Sequence, residues 1–198
     1  VIPRVKSWKQ VIFIAEVYQP ALYRDYIRTG GFDYLYDKVG LYDTLRSVVC
    51  GHAPASRITE CWQAVDDIRP HMLSFLENHD EQRIASDFFA GRAEAGIPAM
   101  IVAATIGTGP VMVYFGQELG ERGMDEEGFS GRDGRTSIFD YWSLDTLRRR
   151  CHGGRYDEAL LTDAERSLLH QYTAILRLSR EEKALAEGTF FDLMYVNP

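Results

Sequence analysis

The run from Phe75 to Arg83 contains the side chains of this sequence that are best suited to acid–base chemistry. An apolar stretch, residues 72–76, stands directly before a polar and ionisable cluster that contains Asn78, His79 and Asp80. An apolar strand that ends in ionisable side chains is typical of a buried barrel strand, which delivers chemistry at its carboxyl end.

A second apolar run with a carboxylate near its end, residues 11–18, lies upstream and contains Glu16. Two such strands predict that two acids converge on one site. The pair suits glycoside hydrolysis, which needs a proton donor and charged partners around an oxocarbenium-like transition state. Taken alone, Glu16 also fits a surface glutamate at a strand end, and Asp80 fits a helix cap.

Both runs belong to an alternating pattern of strands and helices. Apolar strands are predicted at residues 11–18, 32–36, 72–76 and 111–115, with helical segments between and after them. Because these strands are continuously apolar, they predict a parallel sheet that is covered by helices. Four such units are half of a (β/α)8 barrel.

The helical segments are predicted from apolar spacing and from capping residues. Helices are expected at residues 41–49, 57–68, 85–89 and 97–106. Ser56 is the candidate cap of the second helix. Thr162 and Glu165 form a capping-box pattern at the start of a longer helix. The strongly apolar residues 190–196 predict a final strand.

The composition argues against several classes of function. The net charge is −7 and no basic cluster stands out, so nucleic-acid binding is not expected. No apolar run reaches the roughly 18 residues needed to span a bilayer. Cys50, Cys61 and Cys151 are an odd number without zinc-ligand spacing, which predicts free thiols; a Cys50–Cys61 disulfide is the alternative.

Together, these segments resemble the α-amylase family, glycoside hydrolase family 13, over nearly the whole chain. Residues 13–18 resemble the family's fifth-strand motif, and residues 75–80 resemble its seventh-strand motif, which is the most specific match. Residues 31–37 fit the sixth strand, residues 110–118 the eighth strand and its exit, and residues 191–197 the first strand of the following β-sandwich.

The resemblance implies an α/β fold that is the C-terminal half of a TIM (β/α)8 barrel, with strands 5 to 8 and their helices. Residues 1–185 would be the C-terminal part of the catalytic barrel. Residues 186–198 would be the first strand of a truncated β-domain. We therefore expect the chain to be cut at both ends from a longer protein, a glycoside hydrolase.

The resemblance also implies roles for individual residues. Glu16 would be the general acid/base. Asp80 would stabilise positive charge at the anomeric carbon, which makes it the second catalytic residue, and His79 would bind a sugar hydroxyl.

Further substrate-binding residues are Asn78, Arg83 and Tyr18. Two roles stay open for Arg83, since it could orient a carboxylate or close its own loop in a salt bridge. Tyr18 could stack on a sugar face or belong to the core.

One departure from the family pattern affects the expected activity. The family's nucleophile is an aspartate on the fourth strand, and residues 1–10 contain no aspartate. We therefore expect the fragment alone to be inactive, and to self-associate or to pair with the missing barrel half. The family's inserted domain that often holds calcium is also absent, so no metal or cofactor is expected in this chain, while calcium stays open for the parent protein.

The parent protein is expected to be a retaining α-glycosidase of carbohydrate metabolism, acting on starch or malto-oligosaccharides by double displacement. The alternatives are an α-glucan transglycosylase or branching-type enzyme, and a non-catalytic α-amylase-like scaffold. The sequence leaves open the exact substrate, the linkage and the compartment, so a soluble protein could be cytoplasmic, secreted or periplasmic.

Overall fold

The computed structural model describes residues 1–123, 131–140 and 144–195 of the 198. It contains one sheet of four parallel strands: β1 (Ile14–Ala15), β2 (Tyr34–Tyr36), β3 (Met72–Phe75) and β4 (Val111–Met112). The strands are hydrogen-bonded in their chain order, β1-β2-β3-β4. The prediction of an α/β chain with a parallel sheet is therefore confirmed.

The strands are shorter than the apolar runs that predicted them. β1 keeps only two residues of the run 11–18, paired as Ile14 with Tyr34 and Ala15 with Leu35. Just before β1, the Phe13 amide donates to the Asp33 carboxylate at 2.8 Å. A side chain there takes the place of a ladder partner, so the regular strand begins one residue later.

The described residues also form eight α-helices. They are α1 (Ile2–Lys6), α2 (Tyr23–Arg28), α3 (Asp43–Val49), α4 (Arg57–Ala64), α5 (Ile97–Thr105), α6 (Asp145–Cys151), α7 (Asp163–Glu181) and α8 (Lys183–Ala186). These are the α-helices of the residues that the structure describes.

Three helix predictions are corrected. The helix predicted at 57–68 ends at Ala64, because Val65 leaves helical geometry (φ −125°, ψ 16°), and a 3-10 helix over Asp66–His71 follows. Ser56 makes no side-chain capping bond. Residues 85–89 form turns instead of a helix.

The chain divides into two compact units. The first unit contains Val1–Phe75, Ala103–Met112 and the segment that begins at Lys183; the second contains Leu76–Val102 and Val113–Glu182. The whole sheet lies in the first unit. Its core is a cluster of buried residues from the strands and the helices: Ala15, Val17, Tyr23, Leu35, Val65, Ile68 and Met72.

The second unit is organised by α7. The Thr162 hydroxyl accepts from the Glu165 amide at 3.2 Å, and the Glu165 carboxylate accepts from the Thr162 amide at 2.8 Å, so the predicted capping box is confirmed. The buried face of α7 includes Tyr172, whose hydroxyl accepts from the Gln117 amide group at 3.0 Å. This bond ties α7 to the chain that follows β4.

The predicted strand over residues 190–196 is not formed in its described part. A 3-10 helix occupies Leu193–Tyr195 instead, while Val196 and Asn197 lie outside the described residues. The Asp192 carboxylate accepts from the Met194 amide at 2.8 Å, and such a local bond competes with extended structure. The assignment of residues 186–198 to a second domain stays a prediction.

The Asp192 carboxylate also joins this segment to α4, accepting from the Thr59 hydroxyl at 2.6 Å and from the Trp62 indole at 2.7 Å. All three cysteines are thiols outside any disulfide and are partly buried, so the alternative of a Cys50–Cys61 disulfide is not realised. Within the described ranges, no helix combines the length and apolarity that crossing a membrane would require.

Candidate functional site

Glu16 and Tyr18 follow β1 in the first unit and lie on the same face of the extended chain. Burial alternates here, with Ala15 and Val17 buried and both Glu16 and Tyr18 exposed. The Tyr18 hydroxyl donates a hydrogen bond to the Glu16 carboxylate. The structure therefore brings two predicted site residues together as an exposed carboxylate with a phenol donor.

The loop that carries the other predicted residues is closed at its base by Glu77 in the second unit. One Glu77 carboxylate oxygen accepts from the Ile84 amide at 2.7 Å, and the other accepts from Arg83 Nη1 at 2.8 Å. The buried carboxylate at the start of residues 77–84 thus binds the residues at their end and closes the loop.

The Asn78 side chain stabilises a turn within this closed loop. Its side-chain oxygen accepts from the Asp80 and Glu81 amides, both at 2.9 Å. The Asn78 side chain is buried, so in this structure it supports the turn from the protein interior. Among the residues that the structure describes, the Asn78 Nδ2 atom has no hydrogen-bond partner.

His79 and Asp80 stand at the tip of the turn. Their side chains are 28% and 57% exposed, and His79 Nε2 lies 3.6 Å from an Asp80 carboxylate oxygen. The structure therefore presents an imidazole and a carboxylate side by side to solvent. These groups can donate to and accept from the hydroxyls of a polyhydroxylated molecule.

Arg83 is fully buried beneath this loop. Its Nε atom donates to the Thr136 hydroxyl at 3.1 Å, and its guanidinium carbon lies 4.4 Å from the Tyr114 ring centre and 5.0 Å from that of Phe115. Of the two roles left open by the sequence, the geometry favours the second, because a single contact between Arg83 and Glu77 closes the loop as a salt bridge. A direct contact of Arg83 with substrate stays a prediction.

The Glu77–Arg83 pair dominates the electrostatics below the loop. Burial raises the pKa of the Glu77 carboxyl above its usual range, while the Arg83 guanidinium and the Ile84 amide act in the opposite direction. Burial likewise raises the pKa of Tyr114, opposed by Arg83. An ion pair so fully removed from water depends on good geometry, because neither charge is compensated by solvent.

Two residues of this arrangement have no predicted role in the sequence analysis. Glu77 carries a signal that could have found it, because a charged residue directly after an apolar strand, with Arg83 six positions later, indicates a closed loop. Thr136 carries no such signal, since its partner Arg83 is 53 residues away in the chain. That no metal or cofactor is bound by this chain stays a prediction.

Comparison with known proteins agrees with the fold. No family model matches the sequence, and no curated protein gives a significant match. A solved structure, that of AmyP in complex with maltose, is similar with a TM-score of 0.59 at 18% sequence identity. The match covers 90% of this chain and 39% of the AmyP chain. The chain therefore has the α/β fold of part of the AmyP structure, and at this identity the likeness establishes the fold alone.

Proposed function

We propose that the parent of this chain is a retaining α-glycosidase that acts on α-glucans by double displacement, and that the chain supplies the C-terminal half of its (β/α)8 barrel. The observation that carries the proposal is the turn held by Asn78, which presents His79 and Asp80 just after a buried parallel strand. Its support is the sequence motif at this strand, together with a fold shared with a protein solved in complex with maltose.

In this mechanism Glu16 is the general acid/base. It donates its proton to the glycosidic oxygen as the bond to the leaving sugar breaks, and later takes a proton from the water that attacks the glycosyl-enzyme intermediate. Tyr18 donates to the Glu16 carboxylate and so holds it in one orientation. The nucleophile that forms the intermediate is an aspartate outside these 198 residues.

Asp80 and His79 act on the sugar ring. The Asp80 carboxylate accepts hydrogen bonds from ring hydroxyls and stabilises the positive charge that develops at the anomeric carbon. His79 donates to a neighbouring hydroxyl. Because the Asp80 and Glu81 amides are already bonded to Asn78, the turn needs little ordering when a sugar binds.

The test is to incubate the full-length protein with maltoheptaose and to follow chain length and anomeric configuration by proton NMR. We expect shorter products that are first released as α-anomers. Asp80→Asn removes a charge that acts in the transition state and should lower kcat about 100-fold or more.

The matched control is Asp87→Asn, which removes an exposed carboxylate of the same unit whose ion pairs, among the described residues, are with Arg122 and Arg132. This variant should keep full activity. Equal activity of the Asp80→Asn and Asp87→Asn variants would refute the role of Asp80. Products longer than maltoheptaose would indicate a transglycosylase, and no turnover at all would indicate a non-catalytic scaffold.

A further inference from the structure

Thr136 lies at the end of a chain of buried hydrogen bonds that leads to the turn with His79 and Asp80. The Thr136 hydroxyl accepts from Arg83 Nε at 3.1 Å, and Arg83 Nη1 donates to Glu77 at 2.8 Å. Glu77 in turn directly precedes Asn78, which forms the turn. Thr136, Arg83 and Glu77 are all buried, so water does not replace any of these contacts.

The segment that carries Thr136 is also held by bonds other than the one its hydroxyl makes. The Thr136 carbonyl accepts from the Tyr114 hydroxyl at 2.7 Å, and the Gly134 carbonyl accepts from the Arg83 amide at 2.7 Å. Gly134 also has a positive φ of 73°, and an added Cβ would lie 2.5 Å from the Ser86 hydroxyl. These contacts hold the segment in place, so the Thr136 hydroxyl can orient Arg83.

The planar guanidinium links these two sides. Its Nε–H and Nη1–H bonds point in fixed relative directions, so a hydrogen bond at Nε restricts where Nη1 can lie. Since Nη1 binds the carboxylate that closes the 77–84 loop, the Thr136 hydroxyl limits the motion of that carboxylate. The Tyr114 and Phe115 rings also pack against the Arg83 guanidinium.

We propose that Thr136 is a positioning residue, which acts through Arg83 and Glu77 to fix the turn that presents His79 and Asp80. The catalytic consequence rests on the proposed function of that turn, whereas the positioning itself does not. A displaced Asp80 stabilises the transition state less well, while ground-state binding of a long glucan changes little. The expected signature in a glycosidase is therefore a lower kcat at nearly constant KM.

The test compares two substitutions in the full-length protein. Thr136→Val keeps the shape of the side chain and removes the hydroxyl, whereas Thr136→Ser keeps the hydroxyl and is the matched control. The first measurement is amide hydrogen exchange of Asp80 and Glu81 by NMR, since both amides bind Asn78 within the turn. The second measurement is kcat and KM for maltoheptaose.

We expect Thr136→Val to accelerate exchange at Asp80 and Glu81 by about tenfold and to lower kcat by about the same factor, the size expected for losing one buried hydrogen bond to a charged group. Thr136→Ser should behave as the unsubstituted protein. Amides of α7 such as that of Ile175 should exchange at an unchanged rate in both variants.

Exchange in the Thr136→Val variant that is unchanged at the turn, or that rises equally in α7, would overturn the proposal. A normal kcat together with faster local exchange would overturn the catalytic consequence and leave Thr136 as a support of the turn. If the unsubstituted protein has no turnover, the proposed function fails, and the exchange measurement still decides whether Thr136 positions the turn.

Discussion

Asp37 is a buried acid in the first unit. It accepts from the Leu41 amide at 2.9 Å and so caps the π-helical turn Lys38–Tyr42. Burial raises the pKa of Asp37 to about 6, and the Leu41 amide opposes this shift. Gly40 fits beside it because an added Cβ would lie 2.7 Å from an Asp37 oxygen. The residue makes the folded state sensitive to pH.

We predict that Asp37→Asn removes this pH sensitivity. Well below pH 4, Asp37 is protonated in both the folded and the unfolded protein. Between about pH 4 and the folded-state pKa of about 6, the unfolded protein releases this proton while the folded protein keeps it, so the free energy of unfolding falls as the pH rises. At pH 7 the variant should therefore be more stable by up to about 3 kcal/mol, with equal stabilities near pH 3.5. Urea unfolding at both pH values checks this, and an equal stability difference at both would contradict it.

The buried Glu77–Arg83 pair allows a second prediction at this scale. Arg83→Met should lower the free energy of unfolding by about 3–5 kcal/mol, because it leaves the Glu77 carboxylate buried without its partner. Combining it with Glu77→Gln removes both charges and should restore much of that loss. Denaturant titration of both variants is the measurement; a double variant no more stable than the single one would show that packing, not charge, dominates.

Residue identity in the sequence predicts a part of this site. The order of Asn78, His79 and Asp80 after an apolar strand is sufficient to predict polar groups at the carboxyl end of the strand, of which His79 and Asp80 are exposed. The burial of Asp37 and the role of Thr136 depend on partners that are brought close only by folding. Local pattern therefore indicates the groups at the tip of the loop and not those that support it.

Helix ends supply the test at the scale of elements. Thr162→Ala removes the hydroxyl that accepts from the Glu165 amide and should cost about 1 kcal/mol of stability. Ser56→Ala is the matched control, because Ser56 makes no side-chain capping bond and its loss should cost almost nothing. Thermal unfolding of both variants gives the comparison. Equal losses would contradict the assigned caps.

The elements were predictable in kind more than in length. Four apolar runs correctly indicate four parallel strands, because continuous apolar sequence reports burial on both faces. Their ends depend on which amides find ladder partners, as the bond from Phe13 to Asp33 shows. The apolar residues 190–196 mislead for a similar reason, since Asp192 binds the Met194 amide and favours a turn.

At the scale of the whole molecule, the two edge strands of the sheet bear on self-association. β1 and β4 end the strand order, and the apolar side chain of Ile12, just before β1, is 68% exposed. Exposed edge strands with apolar side chains favour pairing with another chain. We therefore predict that the 198-residue chain self-associates through this edge.

Ile12→Lys should weaken this association, because a charged side chain at a sheet edge opposes pairing. Leu178→Lys on α7 replaces another exposed apolar residue and should leave the association unchanged. Sedimentation velocity over a range of concentrations distinguishes the variants. A single monomeric species for the unsubstituted chain would refute the prediction.

The burial of Arg83 also has a consequence for proteolysis. Trypsin needs an arginine side chain in its specificity pocket, and Arg83 is fully enclosed whereas Arg92 nearby in the sequence is exposed. Cleavage after Arg83 thus requires the loop that Glu77 closes to open first, and the cleavage rate reports how often this loop opens. The contacts that hold His79 and Asp80 in place therefore also protect the peptide bond after Arg83 from trypsin.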